Sequence, residues 1–322
     1  MKVSVCIPVY GVERHIGRCA RSLFGQTMKE EIEFIFVNDA TPDRSEEVLR
    51  AVLEEYPERK AQTVILRHAE NRGLTGARNT ALKAASGAYI IHCDSDDTVD
   101  PALYETMYRA AEENNADAVC CDMVQEVPGR APRRLHLTGD TVDDLFFRHF
   151  NTVAFNSLCN KMFARGIAQD PTILSPDRVT MAEDLLRTTQ MLLKCRRIAV
   201  CGEVAYHYFR DNAGASTRNF SAEAFRSQRE VIGILLDRLP EKYGKIADAC
   251  RGQLLFSALR IPEIGGEEFR RLCPAAVRRR VIFNRHLAFA KRAVLALSLI
   301  SVPLGRAGCA ALISLAQRMQ MG

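Results

Sequence analysis

The chain has 322 residues, 47% of them hydrophobic and 26% charged, which excludes a mainly disordered protein and suits one large domain with an appendage or two modest domains. Its formal net charge of +5 conceals a split. No acidic residue follows Glu268, residues 269–322 carry ten basic side chains, and residues 1–268 hold 34 basic against 39 acidic, an asymmetry that points to an anionic partner, either nucleic acid or a membrane surface.

The first 125 residues alternate strand and helix signals. Val3–Pro8 reads as a buried strand and Val12–Phe24 as a helix. Glu33–Val37 is a second strand, followed by a helix from about Asp43 to Tyr56. Thr63–Leu66 is a third strand, and Thr75–Ala85 a helix closed by Gly87. Ala88–His92, a helix over Pro101–Asn114 and a strand over Ala116–Val124 complete the series. Short β-branched runs between amphipathic stretches imply βαβ units on a mostly parallel sheet. Ligands in such sheets sit beyond the carboxyl ends of the strands, which directs attention to residues 9–11, 38–43, 68–73 and 93–97. Residues 127–137 read as an exposed loop, 182–194 as a helix and 198–204 as a strand. From about Ser221 onward the pattern is mainly helical, so the expected division is 1–220 and 221–322.

Eleven cysteines occur without a C-x-x-C pair. Cys6, Cys93, Cys120 and Cys121 fall in apolar strand-like runs, where a thiol acts as a small hydrophobe; a redox pair is the alternative for Cys120 and Cys121. A strand pattern starts at Val3 with no secretory leader before it, so reducing cytoplasm is the expected compartment.

The first strand ends in Pro8-Val9-Tyr10-Gly11 and lacks the G-x-G-x-x-G of a dinucleotide fold, and no P-loop sequence occurs. Instead, Asp94, Asp96 and Asp97 lie within four residues after the fourth strand. Crowded carboxylates raise one another's pKa unless a cation sits among them, and oxygen ligands of this kind suit Mg²⁺ or Mn²⁺ completed by substrate phosphates. Helix capping accounts for Asp100 before Pro101, but Asp94 and Asp96 are too far upstream for it.

These residues carry a resemblance. VSVCIPVYGVERHIGRCARSLFGQT, EFIFVNDATPDRS, NRGLTGARNTALKAASGAYIIHCDSDD, NKMF and AEDLLR resemble, in order and spacing across residues 3–190, an inverting family 2 glycosyltransferase of the GT-A fold. Gly11 stands where the family often has Asn, and Ala40 where it commonly has Gly. The resemblance implies an α/β fold with a Rossmann-like, mostly parallel sheet, here followed by a helical extension. It also implies a UDP-sugar donor whose nucleotide is held by Pro8, Val9, Tyr10, Asp39, Asn71, Gly73, Arg78, Asp94 and Ser95, with Glu13 nearby. Asp96 becomes the metal ligand and Asp184 of the Glu183-Asp184 pair the base that activates the acceptor hydroxyl. The segment Tyr206–Arg210, with Ser216 beyond it, resembles one near the diphosphate in relatives. It makes His207 a candidate second metal ligand and Arg210 a candidate phosphate partner, with a structural histidine as the alternative. Lys161 stands as either an acceptor-side or a structural lysine. The expected activity is sugar transfer to a glycan or lipid-linked acceptor in surface polysaccharide synthesis. A sugar-phosphate nucleotidyltransferase and a non-catalytic nucleotide-sugar-binding scaffold are the alternatives.

Residues 293–304 and 307–317 are uncharged, mostly apolar runs. Neither reaches the roughly 20 residues of a bilayer span, and joining them would bury Arg306 centrally at about 2.5–3.5 kcal/mol. The expectation is a peripheral segment on the anionic cytoplasmic leaflet, against a helical pair packed on protein or on a second subunit of a homo-oligomer. With Phe269, Phe283 and Phe289 as its only aromatics, the tail gives nucleic acid little support.

Overall fold

The computed structural model describes residues 1–173, 176, 179–212, 220–273 and 275–321, with side chains described only to Leu315 in the last stretch. Ser216 therefore lies outside the described residues. The chain divides into two compact units, residues 1–218 and 219–322.

The first unit opens with β1 (Val3–Val9), α1 (Ile16–Phe24), β2 (Ile32–Asn38), α2 (Ser45–Glu54), β3 (Thr63–Arg67), α3 (Gly73–Ala84) and β4 (Tyr89–His92). Then come a two-residue strand β5 (Thr98–Val99), α4 (Leu103–Asn114), β6 (Ala118–Glu126) and β7 (Arg133–Leu135). Two short helices, α5 (Val142–His149) and α6 (Val153–Asn156), lead into β8 (Lys161–Ala164), α7 (Arg165–Ala168), α8 (Glu183–Lys194) and β9 (Ile198–Phe209). All seven residues of β1 are buried, as expected of a strand covered on both faces. The sheet order is β3-β2-β1-β4-β8-β6-β9-β5, with β7 paired to β6. The four strands β3, β2, β1 and β4 are parallel. The chain leaves β1 toward β2 on one side and returns to β4 on the other, so a topological switch point lies between the carboxyl ends of β1 and β4.

The structure departs from the expected elements in several places. The fifth strand, β6, does not follow β4 in the sheet: β8 runs antiparallel between them. The presumed loop of residues 127–137 contains β7, which pairs antiparallel with β6. The strand expected to stop at Val204 continues to Phe209, because β9 shifts register against β6 between Cys121 and Asp122 and then resumes pairing. Asp100 is not a helix cap. The helix starts at Leu103, and the Asp100 carboxylate instead accepts from the Ala205 amide at 2.8 Å and contacts His207 Nε2 at 2.9 Å. Cys120 and Cys121 are buried and unpaired, as strand-core side chains.

The second unit is helical: α9 (Ala222–Arg238), α10 (Gly244–Ala258), α11 (Gly266–Arg271), α12 (Ala275–Ile282), α13 (Phe289–Ile300) and α14 (Val302–Met321). Ser221 caps α9, its hydroxyl accepting from the Ala224 amide. The two uncharged runs of the sequence become α13 and α14. No described helix is long and apolar enough to cross a membrane.

The helix expected to close at Gly87 ends earlier, at Ala84, and Gly87 instead packs against β1. Its amide donates to Ser4 Oγ, and a Cβ there would lie 2.6 Å from the Ser4 amide nitrogen. Backbone this close cannot yield as a side chain can, so Gly87→Ala is expected to cost about 1–3 kcal/mol, read as a lowered urea midpoint at unchanged m-value.

Candidate functional site

A cavity of about 470 Å³ opens at the switch point, within the range of small-ligand sites. Its floor is built from strand ends, where the backbone must turn and side chains splay toward solvent. Pro8, Val9 and Tyr10 come from β1, Asp39 from β2, and Asp94, Ser95, Asp96 and Asp97 from the turn after β4. Asn71, Gly73 and Arg78 arrive from the start of α3, and Glu183 and Asp184 from the first turn of α8. Thus thirteen of the residues singled out from sequence share one cavity.

Asp39 is nearly fully buried and held on one oxygen. Its Oδ1 meets His68 Nδ1 at 2.6 Å and accepts from the Arg72 amide at 2.9 Å, while His68 Nε2 reaches Thr80 Oγ1 at 2.8 Å. Just beyond Asp39, Ala40 sits at φ +53°, a left-handed conformation that glycine adopts at lower cost. Gly73 adopts φ +76°, with its amide bound to Asn71 Oδ1, and the missing Cβ opens the wall there.

The centre of the cavity is an ion cluster around Arg78, which is 1% exposed. One arm of its guanidinium donates to Asp184 Oδ1 and lies 3.5 Å from Glu183; the other donates to Asp94 Oδ1 at 2.7 Å. Although Glu183 and Asp184 keep 18% and 30% of their side-chain surface open to the cavity, the protein around them withholds most of their solvation. Burial pushes the Glu183 carboxyl up to about 7, reinforced by repulsion from Asp184. Burial also raises Asp184, opposed by Arg78. Ala182, at the N-cap of α8, has φ +68°, so strained backbone aims both carboxylates inward.

Asp97 belongs to the scaffold. Its oxygens accept from the Tyr206 hydroxyl at 2.5 Å and the Phe209 amide at 2.7 Å, and the same hydroxyl accepts from the Asp94 amide. Asp96 is raised by burial and by the neighbouring Asp94; Asn212 donates to its Oδ2 at 2.8 Å. Among the described residues, no group of three or more His, Cys, Asp or Glu side chains forms a ready-made metal cage. A raised Asp96 crowded by Asp94 beside an open cavity would fit a divalent cation completed by phosphate oxygens.

Three expected site residues lie elsewhere. His207 is on the opposite face of β9 from Tyr206 and Tyr208, its ring between Asp100 and Glu126 at 2.9 and 3.0 Å; strand alternation turns it away from Asp96. Arg210 binds the Glu126 carbonyl through its amide and does not line the cavity. Glu13 accepts from the Arg44 amide at 3.0 Å and staples two loops rather than facing a ligand. Within the segment expected near the diphosphate, Tyr206 and Tyr208 are the residues that line the cavity, and Asn212, Asn156 and Ser157 line it unforeseen. The two tyrosines were within reach of period-2 alternation had the strand been extended past Val204. Lys161, left open from sequence, is 1% exposed and donates to the carbonyls of Ala154 and Ser157 and to Asn160 Oδ1. It is structural, pinning the segment that carries Asn156 and Ser157.

The sequence profile described as glycosyl transferase family 2 matches residues 4–170, more than half of the chain. The chain belongs to that family. It is 32% identical over 222 residues to the Bacillus subtilis glycosyltransferase EpsJ, covering 67% of this chain and 62% of that protein. It is 31% identical over 237 residues to the poly(ribitol-phosphate) beta-glucosyltransferase of Bacillus spizizenii, covering 72% and 36%. The chain thus spans less than two thirds of the length of these relatives. Residues 1–349 of Staphylococcus aureus TarS, solved with UDP-GlcNAc, superpose with a TM-score of 0.72 at 19% identity, covering 98% of this chain and 92% of that one. The architecture is the GT-A fold.

Linkage gives a stability test. Glu183 holds its proton to about pH 7 when folded, against an ordinary 4.5, so its contribution falls as pH rises between those values and stays low above them. Glu183→Gln is therefore expected to be more stable than wild type at pH 8, by about 1–3 kcal/mol, and no more stable at pH 4. Equal denaturation midpoints at pH 8 would contradict the raised Glu183.

Proposed function

We propose that the protein is an inverting glycosyltransferase that moves a sugar from a UDP-sugar to a glycan or lipid-linked acceptor of bacterial surface polysaccharide. The observation that carries this reading is the convergence of Asp39, Asp94, Asp96 and Asp184 in one cavity at the switch point of a family 2 chain. The relatives point the same way: one is named a poly(ribitol-phosphate) glucosyltransferase, and the TarS structure holds UDP-GlcNAc. Family membership favours this over the nucleotidyltransferase and scaffold alternatives.

In this reading Asp39 receives the uracil N3–H on Oδ2, since His68 and Arg72 already engage Oδ1. The half-exposed Tyr10 ring borders the base. Asp94 takes the ribose hydroxyls and Asp96 holds Mn²⁺ or Mg²⁺. When bound, that cation supplies Lewis-acid neutralisation of the departing diphosphate. Asp184 accepts the proton of the acceptor hydroxyl as its oxygen bonds the anomeric carbon. The bond from that carbon to the diphosphate breaks with its electron pair leaving on UDP. One base and a single displacement invert the anomeric centre. Arg78 keeps Asp184 ionised inside a desolvated cavity and orients it together with Asp94.

A panel of UDP-sugars with Mn²⁺, scored by UDP release with acceptor present, tests the activity. Asp184→Asn should lower kcat by about 10²–10⁴-fold with donor affinity retained, and Asp96→Ala should weaken Mn²⁺-dependent UDP binding; full activity in either variant would sink the assignment. Removing the cation that favours the ionised base raises its pKa further, so Arg78→Met should move the acidic limb of kcat/KM to higher pH by about one unit or more. A limb that stays in place would show that Arg78 does not govern the base.

A further inference from the structure

The helical hairpin of α13 and α14 is apolar on its outer face as well as its inner one, where Val294, Leu295 and Cys309 are buried. Along α13 the exposed positions are Phe289, Ala290, Ala293, Leu297, Leu299 and Ile300, none of them charged. Lys291, on the same helix, turns inward to Gln253 Oε1 at 2.8 Å and lies over the Phe256 ring. On α14, Leu304 and Leu315 are 47% and 56% exposed. Arg306, the only charged residue between Arg292 and Arg318, points inward, donating to the carbonyls of Ile261 and Ile264. Gly305 and Gly308 let the two helices close, since Cβ atoms there would meet Ser298 and Leu297 at 2.6 and 3.0 Å. A water-facing helix instead carries its charges on the outer face and keeps its apolar side chains within.

We propose that the outer face of this hairpin docks on an anionic lipid bilayer. Phe283 and Phe289, 72% and 77% exposed, extend the apolar surface toward Arg279 and Arg285, both exposed. Aromatic and aliphatic side chains enter the acyl boundary while the flanking arginines meet anionic headgroups. Charge selects this occupant over a second copy of the chain. Residues 219–322 hold 17 basic against 8 acidic side chains, so two copies meeting here would set like charge against like, whereas acidic lipid complements it.

The test is sedimentation of the whole chain with vesicles of phosphatidylcholine alone or mixed with phosphatidylglycerol, without donor or acceptor, so the outcome is independent of catalysis. Binding is expected to the mixed vesicles only and to weaken with salt. Ile300→Glu/Leu304→Glu, altering exposed positions and checked for native circular dichroism, should reduce it by roughly tenfold or more. Equal binding by this variant and wild type, or equal binding to neutral vesicles, would overturn the proposal. A wild-type dimer in sedimentation velocity that the same variant dissociates would also overturn it, giving the face to a second copy.

Discussion

One buried guanidinium holds the site together. Arg78 sits among Asp94, Glu183 and Asp184, which come from two different segments far apart in sequence. Three carboxylates in a partly desolvated cavity would repel one another and take up protons; a single cation among them offsets much of that repulsion and joins α3, the turn after β4 and the start of α8. The balance is incomplete, as the raised Glu183 and Asp184 show. Removing one member of such a cluster leaves the others uncompensated, which is costlier than the net worth of any one contact.

Around that cluster the fold supplies precision through backbone-anchored contacts. The Tyr206 hydroxyl accepts from the Asp94 amide and donates to Asp97, tying the turn after β4 to the far end of β9. Asp39 is fixed by His68, itself fixed by Thr80, and Lys161 pins the segment bearing Asn156 and Ser157. Left-handed alanines at positions 40 and 182 mark where the chain accepts local strain to aim a carboxylate. The site is thus anchored at its carboxylates and open in its walls, which suits the proposed nucleotide and acceptor.

The second unit applies the opposite rule. Its core is ordinary, with Ile246, Ala249, Leu254 and Leu255 of α10 buried, and Asp248 drawing Arg251 and Arg280 together. Its outer hairpin, however, turns Lys291 and Arg306 to internal amide and carbonyl partners and leaves leucine, isoleucine and phenylalanine exposed. Polar pairing alone does not explain that pattern; the bilayer docking proposed above would.

The sequence by itself determined much of the first unit. Hydrophobic strand runs separated by amphipathic helices, with turn residues at the strand ends, suffice for a parallel α/β sheet because each signal is local, and the strand-end rule located the cavity. The charge split and the two uncharged runs were equally legible. What only the tertiary structure decided was direction and pairing. Whether His207 or its neighbours Tyr206 and Tyr208 face the cavity depends on a register shift opposite Cys121 and Asp122, which no local signal encodes. Whether Asp100 caps a helix or binds β9, and whether Arg306 faces water or carbonyls, depends on partners about 42 to 107 residues away. Composition fixes which groups must be satisfied; only long-range packing chooses the groups that satisfy them.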